Sequence, residues 1–451
     1  MPLNAEDDNL LKRVYQNIDP LESLKPGDPR YQPVYGLAAS EDPVELLHTA
    51  IDWEPIASMQ MFSGFRGSGK TTELFRLKKK LEAQNYLVLY VNALDYVPVA
   101  EPVDITQLLI VIAGAFGEAL KGELKVDEIK ESYWERLWHY LNKTNVEITE
   151  VGIKTGVELK MALKSAPSFR QRLQEMMTNR VNDLKSQMDK FIEECVQAIR
   201  AKKGDDTKIV FLFDSLEQIR GSASTEEAVT RSVEILFANY ADKLQLPYVH
   251  CIYTVPPWLQ FAAPNLTDIE ILPSIRQWSK DERSQYEPGW NALRGLLKKR
   301  CGEDGFERIF GPSDAQGKNP LADQLIAVCG GHFRDLLYLL RESLLRARSL
   351  PVLPLNDQII KAAISKVRGN FLPISIEDAI WLEKIERTRD CSLPSNKAND
   401  VQHLTRLLDT HFVLYLKNGG KWYDIHPLIR DEVAAIVARH KETNPPEATA
   451  S

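Results

Sequence analysis

The sequence has few cysteines, no long apolar run and no excess of positive charge. Its five cysteines are scattered over 451 residues without a CxxC pair, which indicates reduced thiols and predicts a cytoplasmic protein. No stretch of about 18 uncharged apolar residues occurs and the N-terminus is acidic, so we expect neither a membrane span nor a secretory signal. A formal net charge of -7 argues against binding nucleic acid through bulk charge.

What is present indicates a large globular α/β protein. Hydrophobic residues make up 44% and charged residues 26% of a chain long enough for several packed units. Short runs rich in Val, Ile, Leu, Phe and Tyr occur at 59–63, 87–92, 209–213, 248–253 and 268–272. They lack strict alternation and helical segments separate most of them, which predicts a five-stranded parallel sheet with crossover helices.

The same patterns predict the domain organisation. We expect an N-terminal helix and extended segment at 1–45, an α/β core at 46–285, a helical lid at 286–370, a winged helix at 373–440 and a disordered tail at 441–451. The core carries an insertion at about 120–205, in which we predict a β-hairpin over 145–163 and a long amphipathic helix over 168–202. The insertion is either a functional projection or an elaborated surface.

Residues 62–74, FSGFRGSGKTTEL, contain the pattern GxxxxGK[ST] between a predicted strand and a predicted helix. In this pattern glycines let main-chain N–H groups surround phosphates, the lysine reaches the β and γ oxygens, and the hydroxyl that follows binds Mg²⁺. The stretch therefore predicts an ATP·Mg²⁺ site, with Lys70 also catalytic and Thr71 also a metal ligand. Its residues are Gly64, Phe65, Arg66, Gly67, Ser68, Gly69, Lys70, Thr71 and Thr72.

A second motif, KIVFLFDSLEQI, ends an apolar run in Asp214. A carboxylate at the tip of a neighbouring strand can hold the magnesium ion, directly or through water. Glu217 is then the best candidate for a general base. The alternative is a buried strand with a polar stop.

Two further polar residues follow predicted elements. Thr254 ends the strand YVHCIYT, and it can contact the γ-phosphate or the attacking water if that strand lies between the loop strand and the Asp214 strand. Otherwise it caps the Pro-Pro turn. Arg334 follows Gly330-Gly331 in the first turn of a predicted helix, where it is either a sensor of the γ-phosphate or a solvated side chain.

Taken together, these segments resemble the AAA+ and STAND group of P-loop ATPases, with the nearest likeness to origin-recognition-type and related prokaryotic regulatory ATPases. The resemblance rests on GFRGSGKTTEL, VFLFDSLEQI, the strand tip at Thr254, GGHFRDL and the C-terminal winged helix. It implies a nucleotide core, a lid with Arg334 as sensor arginine, and a winged helix that binds DNA or locks the inactive state. It also implies assembly through an arginine finger from a neighbouring subunit.

The sequence departs from that pattern at two places. Ser215 stands where related ATPases place a catalytic acid, so hydrolysis is expected to be slow or to depend on Glu217. The segment VPPWLQFAAPNLTD contains no arginine where such a finger is common, and Arg231 and Arg276 remain as substitutes.

The predicted winged helix is close to neutral. Residues 373–440 contain nine Lys or Arg and ten Asp or Glu, whereas phosphate binding requires a local positive excess. Trp422, Tyr423 and His426 favour contact with a protein or with another part of this chain over DNA, and no Cys or His at metal spacing accompanies His426.

Three functions are compatible with these patterns. The first is an ATP-driven switch that controls a partner effector or an assembly, with a homo-oligomer as one form. The second is a DNA-associated ATPase that loads or remodels a nucleoprotein complex. The third is a nucleotide-binding scaffold without turnover.

Overall fold

The computed structural model describes residues 3–35, 41–124, 131–143, 154–222, 224–263, 266, 269–392, 398–417 and 420–443. The first elements are α1 Ala5–Asn17, α2 Pro43–Trp53, β1 Ser58–Gly64, α3 Lys70–Glu82, β2 Leu87–Asn92, α4 Ile105–Leu124, α5 Tyr133–Lys143, α6 Gly156–Ser165, α7 Pro167–Met177, α8 Val181–Lys203 and β3 Ile209–Asp214. They are followed by α9 Glu226–Tyr240, β4 His250–Val255, α10 Leu259–Ala262, β5 Ile269–Leu272, α11 Glu287–Cys301, α12 Glu303–Phe310, α13 Pro320–Val328, α14 Phe333–Ala347, α15 Asp357–Arg368, α16 Ile376–Thr388, α17 Ala398–Asp409, β6 Val413–Lys417, β7 Lys421–Ile425 and α18 Arg430–Thr443.

The chain forms two compact units. The sheet unit comprises Pro43–Ser63 and Glu73–Ile271. The loop unit comprises Met1–Asp42, Gly64–Thr72 and Leu272–Ser451, so it contains the glycine-rich loop together with the N-terminal and C-terminal parts of the chain.

The sheet unit is built on a five-stranded sheet in the order β2-β3-β4-β1-β5. The pairs β2–β3, β3–β4 and β1–β4 are parallel. Every residue of β3 and β4 is buried, which explains why their sequences do not alternate between apolar and polar residues. The predicted fold class, an α/β fold with a parallel five-stranded sheet, is confirmed.

Helix α4 is a strongly apolar helix that leads into the insertion. Its Phe116 packs against Phe211 of β3 with ring centroids 5.4 Å apart, so it belongs to the core of the sheet unit. Ile105–Glu123 is long and apolar enough to cross a membrane, but 78% of this stretch is buried in the structure. Burial of this extent is what a core helix of a globular unit has.

The predicted β-hairpin is wrong from Gly156 onward, where helix α6 begins. Thr155 accepts a hydrogen bond from the Glu158 N–H, and the Glu158 side chain accepts one from the Thr155 N–H. This capping box starts a helix, and Leu159 and Leu163 then bury one helical face. Residues 145–153 of the predicted hairpin lie outside the described residues. The predicted helix over 168–202 is interrupted by a 3₁₀ turn at Thr178–Arg180.

The loop unit is helical from α11 to α15, as the sequence predicts for 286–370. The order of α16, α17, the antiparallel pair β6–β7 and α18 is the one predicted for the winged helix. Helix α18 continues to Thr443, so the predicted disordered tail is wrong for 441–443, and 444–451 lie outside the described residues.

The buried imidazole of His250 predicts a pH-dependent stability. Its Nδ1 lies 2.8 Å from the Ser58 Oγ, and burial lowers its pKa from 6.5 to about 4, with a smaller contribution from Lys208. Because the pKa in the folded state is the lower one, this stability is present above pH 6.5 and lost as the pH falls toward 4. In denaturant unfolding, we expect His250→Gln to lack this loss of stability at low pH, which is on the order of 3 kcal/mol. The control variant His48→Gln is expected to retain it.

Candidate functional site

The glycine-rich loop joins β1 to α3 and belongs to the loop unit. Gly67 and Gly69 have φ angles of +93° and +95°, a region that glycine adopts without strain. The Ser68 N–H donates to the Phe65 carbonyl, and the Ser68 side chain is buried. Among the residues that the structure describes, none makes a hydrogen bond to the Ser68 Oγ. A buried hydroxyl of this kind fits a phosphate oxygen as its partner.

Lys70, the first residue of α3, is buried and extends back over the loop. Its Nζ donates to the carbonyl oxygens of Gly64 at 2.8 Å and Phe65 at 3.0 Å. The ammonium group therefore lies at the N-terminus of a helix, beside the loop's own main chain. Thr71 follows in the first turn of α3, and the Thr72 Oγ1 accepts a hydrogen bond from the Leu24 N–H at 3.1 Å.

Two other parts of the loop unit contact this loop. From the N-terminal segment, the Tyr35 hydroxyl donates to the Ser68 carbonyl at 2.7 Å. From α14, a Cβ added to Gly67 would lie 2.7 Å from the Cβ of Arg334 and 2.8 Å from its Nε, and the Arg334 Nε donates to the Pro20 carbonyl. The predicted sensor arginine therefore packs directly on the phosphate-binding loop.

The sheet unit supplies the predicted carboxylate. Strand β4 lies between β1 and β3, which is the order on which the role of Thr254 depends. Phe213 pairs with Tyr253, so Asp214 and Thr254 follow at the same level of the carboxyl edge. Ligands bind beyond this edge in open parallel sheets.

Asp214 is fully buried, and hydrogen bonds from Tyr90 and Ser215 are among its contacts. One comes from the Tyr90 hydroxyl at 2.9 Å and the other from the Ser215 N–H at 2.7 Å. Burial raises the pKa of Tyr90, as do the nearby carboxylates of Asp214 and Glu217, so the phenol stays a donor. Ser215 has a φ of +77°, which is unusual for a residue other than glycine and turns the chain sharply after Asp214.

The other two predicted catalytic residues of the sheet unit lie on this turn. The Thr254 hydroxyl accepts a hydrogen bond from the Leu216 N–H at 3.2 Å, so Thr254 holds the chain that follows Asp214. Glu217 is buried in the 3₁₀ turn Leu216–Gln218. The carboxyl edge therefore brings Asp214, Glu217 and Thr254 together.

The substitutes for an arginine finger have different surroundings. The side chain of Arg231 is 64% exposed and pairs with Glu234 on the same helix. Arg276 lies over the ring of Tyr286, with its guanidinium carbon 3.3 Å from the ring centroid. An exposed arginine on a helix fits a role between subunits better than one stacked on a ring of its own chain.

Sequence reasoning missed two contacts of the phosphate-binding loop. Tyr35 lies in the N-terminal segment that was predicted to be extended, and both Val34 and Tyr35 are buried. His332, next to Gly330-Gly331, lies with its Nε2 3.0 Å from the Arg66 carbonyl. Their partners are 33 and 266 residues away in the chain, so no local pattern indicated these contacts.

Comparisons with known proteins give solved structures of low similarity. No family model matches the chain, and a search of curated proteins finds no relative. The chain is 14% identical to the ORC2 protein of Aeropyrum pernix in its ADPNP-ADP complexes, with a TM-score of 0.41 over 96% of this chain and 98% of that one. For Drosophila ORC bound to DNA the identity is 13% and the TM-score 0.39, over 97% and 94%. For CDC6P from Pyrobaculum aerophilum the values are 12% and 0.37, over 93% and 97%. These values assign neither a family nor an activity to the chain.

Proposed function

We propose that this protein binds and hydrolyses ATP and acts as a cytoplasmic molecular switch of the AAA+/STAND type that controls a partner effector or an assembly. The observation that carries the proposal is the loop at Gly64–Thr72. It combines two left-handed glycines, a buried lysine on the loop's main chain and a buried serine hydroxyl without a partner among the described residues. These features suit a triphosphate.

Each predicted residue has a role in the proposed reaction. Lys70 would exchange its loop carbonyls for the β and γ oxygens of ATP. Thr71 and Asp214 are the residues that would hold Mg²⁺, which would neutralise charge on the phosphates. Glu217 accepts the proton of the attacking water, and Thr254 keeps the turn after Asp214 in place. Arg334, which packs against Gly67, responds to the γ-phosphate.

The contacts of the loop support a switch rather than a metabolic enzyme. The loop touches the N-terminal segment through Tyr35 and the helix α14 through Arg334. Binding of ATP or ADP to the loop would therefore affect the N-terminal segment and α14. If these contacts differ between the ATP-bound and ADP-bound states, the nucleotide shifts the conformational equilibrium.

DNA binding is the weaker alternative because arginines of the predicted winged helix are engaged with acids. Arg389 and Arg430 both pair with Asp424, and Arg406 pairs with Asp378. Phosphate binding would have to break these pairs. A contact with a protein does not have this cost.

One experiment separates the three functions. Phosphate release and light scattering are measured together, with ATP and with a non-hydrolysable analogue. Growth in particle mass with ATP in the absence of DNA supports the switch, and salt-sensitive DNA binding that survives Lys70→Ala but is lost on truncation at Leu372 supports the DNA-associated ATPase. If ATP binds but remains unhydrolysed after long incubation, the result supports the scaffold without turnover. If the protein has no affinity for ATP or GTP, the proposal is refuted.

The role of Glu217 is tested by Glu217→Gln. We expect ATP affinity within about threefold of wild type and turnover lowered about 100-fold or more, because the amide cannot accept the water's proton. Mant-ATP binding and phosphate release measure the two effects. Turnover that persists in this variant would assign the base to another residue.

A further inference from the structure

His332 lies at the N-terminus of α14 and bridges two groups of the loop unit. Its Nε2 is 3.0 Å from the Arg66 carbonyl oxygen in the phosphate-binding loop, and its Nδ1 is 2.7 Å from the Asp335 Oδ2. The side chain is buried, with 1% exposed. Both ring nitrogens therefore face acceptors.

The surroundings of Asp335 favour the ionised form of its carboxyl group. Burial by itself would raise the pKa of Asp335, but the bonds and charges of His332 and His426 hold it well below its usual range. A carboxylate and a carbonyl oxygen both accept hydrogen bonds, so each nitrogen of His332 faces a group to which a ring N–H can donate.

A second histidine extends this chain into the C-terminal part of the unit. The Nε2 of His426 is 3.2 Å from the Asp335 Oδ2, and its Nδ1 accepts a hydrogen bond from the Leu428 N–H. The Nε2 therefore carries the proton and faces the Asp335 carboxylate in an electrostatic contact. The ring stacks on Phe371 at 4.7 Å, and the His426 N–H donates to the Phe412 carbonyl.

The surroundings leave little room for these groups to move independently. A Cβ added to Gly331 would lie 1.9 Å from the Ile275 carbonyl oxygen, and one added to Gly330 would lie 2.8 Å from Leu414 and 3.2 Å from His426. The turn that carries His332 is thus in close contact with the segment around β6 and β7. A shift of one is transmitted to the other.

A metal site is the other use for such a cluster. His332, Asp335 and His411 offer ligand atoms within 4.8 Å of one another. However, both nitrogens of His332 and the Asp335 Oδ2 already make the hydrogen bonds described above. A metal would have to replace the bond between His332 and Asp335, so the geometry favours a hydrogen-bonded relay.

The bond to Arg66 determines which way the loop's main chain faces. In a planar trans peptide the C=O and the next N–H point in opposite directions. Because the Arg66 carbonyl points to His332, the Gly67 N–H points away from it. An N–H fixed in this way is what a phosphate-binding loop needs at Gly67.

We propose that His332 is a positioning residue for the nucleotide: it orients the Arg66–Gly67 peptide, and Asp335 and His426 connect that peptide to the hairpin β6–β7. Nucleoside di- and triphosphate affinity then depends on His426, a residue of the C-terminal part that does not contact the loop through its own bonds. This inference rests on the proposed nucleotide binding and specifies how the C-terminal part regulates it.

The test compares three variants in ADP and ATP binding, measured with mant-nucleotides. We expect His332→Ala to weaken both affinities about 10- to 100-fold, because it loses the hydrogen bonds to Arg66 and Asp335. His426→Gln should weaken them about 3- to 10-fold, because it loses the contact of its ring with the Asp335 carboxylate. His403→Gln is the matched control. His403 also pairs with buried Asp378 at 2.8 Å and stacks on Trp381, but its described bonds stay within the C-terminal part. We expect its nucleotide affinity to equal that of wild type.

Coupling separates positioning from a general loss of structure. If the relay exists, His332→Ala/His426→Gln binds no more weakly than His332→Ala alone, whereas His332→Ala/His403→Gln is additive. Equal affinities for His426→Gln and His403→Gln would overturn the proposal, and so would additivity of His332 with His426. A partial recovery in His332→Gln, whose amide can still donate to Arg66, is expected.

Amide hydrogen exchange keeps the relay testable if the protein binds no nucleotide. Without nucleotide, we expect faster exchange over 64–69 in His332→Ala and His426→Gln, and unchanged exchange there in His403→Gln. Wild-type protein without nucleotide affinity but with this exchange pattern would refute the proposed function and leave the relay. Normal nucleotide binding with unchanged exchange in all variants would refute the relay alone.

Discussion

Lys70→Ala is expected to lower the affinity for ATP at least about 100-fold, which is the largest effect on binding that the structure predicts. The ammonium group donates to the carbonyls of Gly64 and Phe65, so it lies within the loop that we propose to hold the phosphates. Its removal leaves two carbonyl oxygens at the phosphate-binding loop and takes away the positive charge that we assign to the β and γ oxygens. Isothermal titration with Mg·ATP measures the effect.

Lys79→Ala is the matched control for this prediction. Lys79 is an exposed lysine of the same helix, so the substitution changes the net charge and the helix propensity equally without touching the loop. We expect wild-type affinity in this variant. If Lys70→Ala binds ATP as Lys79→Ala does, with both folded by circular dichroism, the loop at Gly64–Thr72 is not the nucleotide site.

The loop and the sheet were predictable because their signals are local. GFRGSGKTT joins an apolar run to an amphipathic one, and the runs that became β1 to β5 lie within a few residues of the observed bounds. The sequence did not predict that β4 lies between β1 and β3, although the role of Thr254 depends on that order. The hydrogen bonds between the strands show it.

The failures arose where two local signals competed or where a contact was distant. Val157, Glu158, Leu159 and Lys160 alternate as in a strand, but the capping box at Thr155 and the burial of Leu159 and Leu163 favour a helix. For His332 the decisive partner, Arg66, lies 266 residues earlier. A histidine next to Gly330-Gly331 has no pattern that predicts such a partner.

Asp335 illustrates the same limit. In the sequence it is an ordinary acid of a helix's first turn, which a helix dipole alone would explain. In the structure it is buried between His332 and His426. Its role therefore depends on the packing of α14 against the C-terminal segment, which composition and periodicity do not encode.

The second large effect is expected from Asp214→Asn, which should lower turnover about 100- to 1,000-fold. The amide has nearly the shape of the carboxylate. Its oxygen can still accept from the Ser215 N–H, and its NH₂ group can donate to the Tyr90 oxygen, so the strand tip keeps its structure. What is lost is the negative charge that we assign to holding Mg²⁺. Phosphate release at saturating Mg·ATP measures turnover, and a manganese titration measures metal affinity.

Tyr90→Phe separates the charge of Asp214 from its hydrogen bonds. This variant removes the bond at 2.9 Å but retains the carboxylate, so we expect turnover within about tenfold of wild type. If Tyr90→Phe loses as much activity as Asp214→Asn, then the position of the carboxylate limits the reaction more than its charge. If Asp214→Asn hydrolyses ATP at the wild-type rate, Asp214 is no metal ligand, and the polar end of β3 is only a structural stop, as the alternative interpretation of that strand holds.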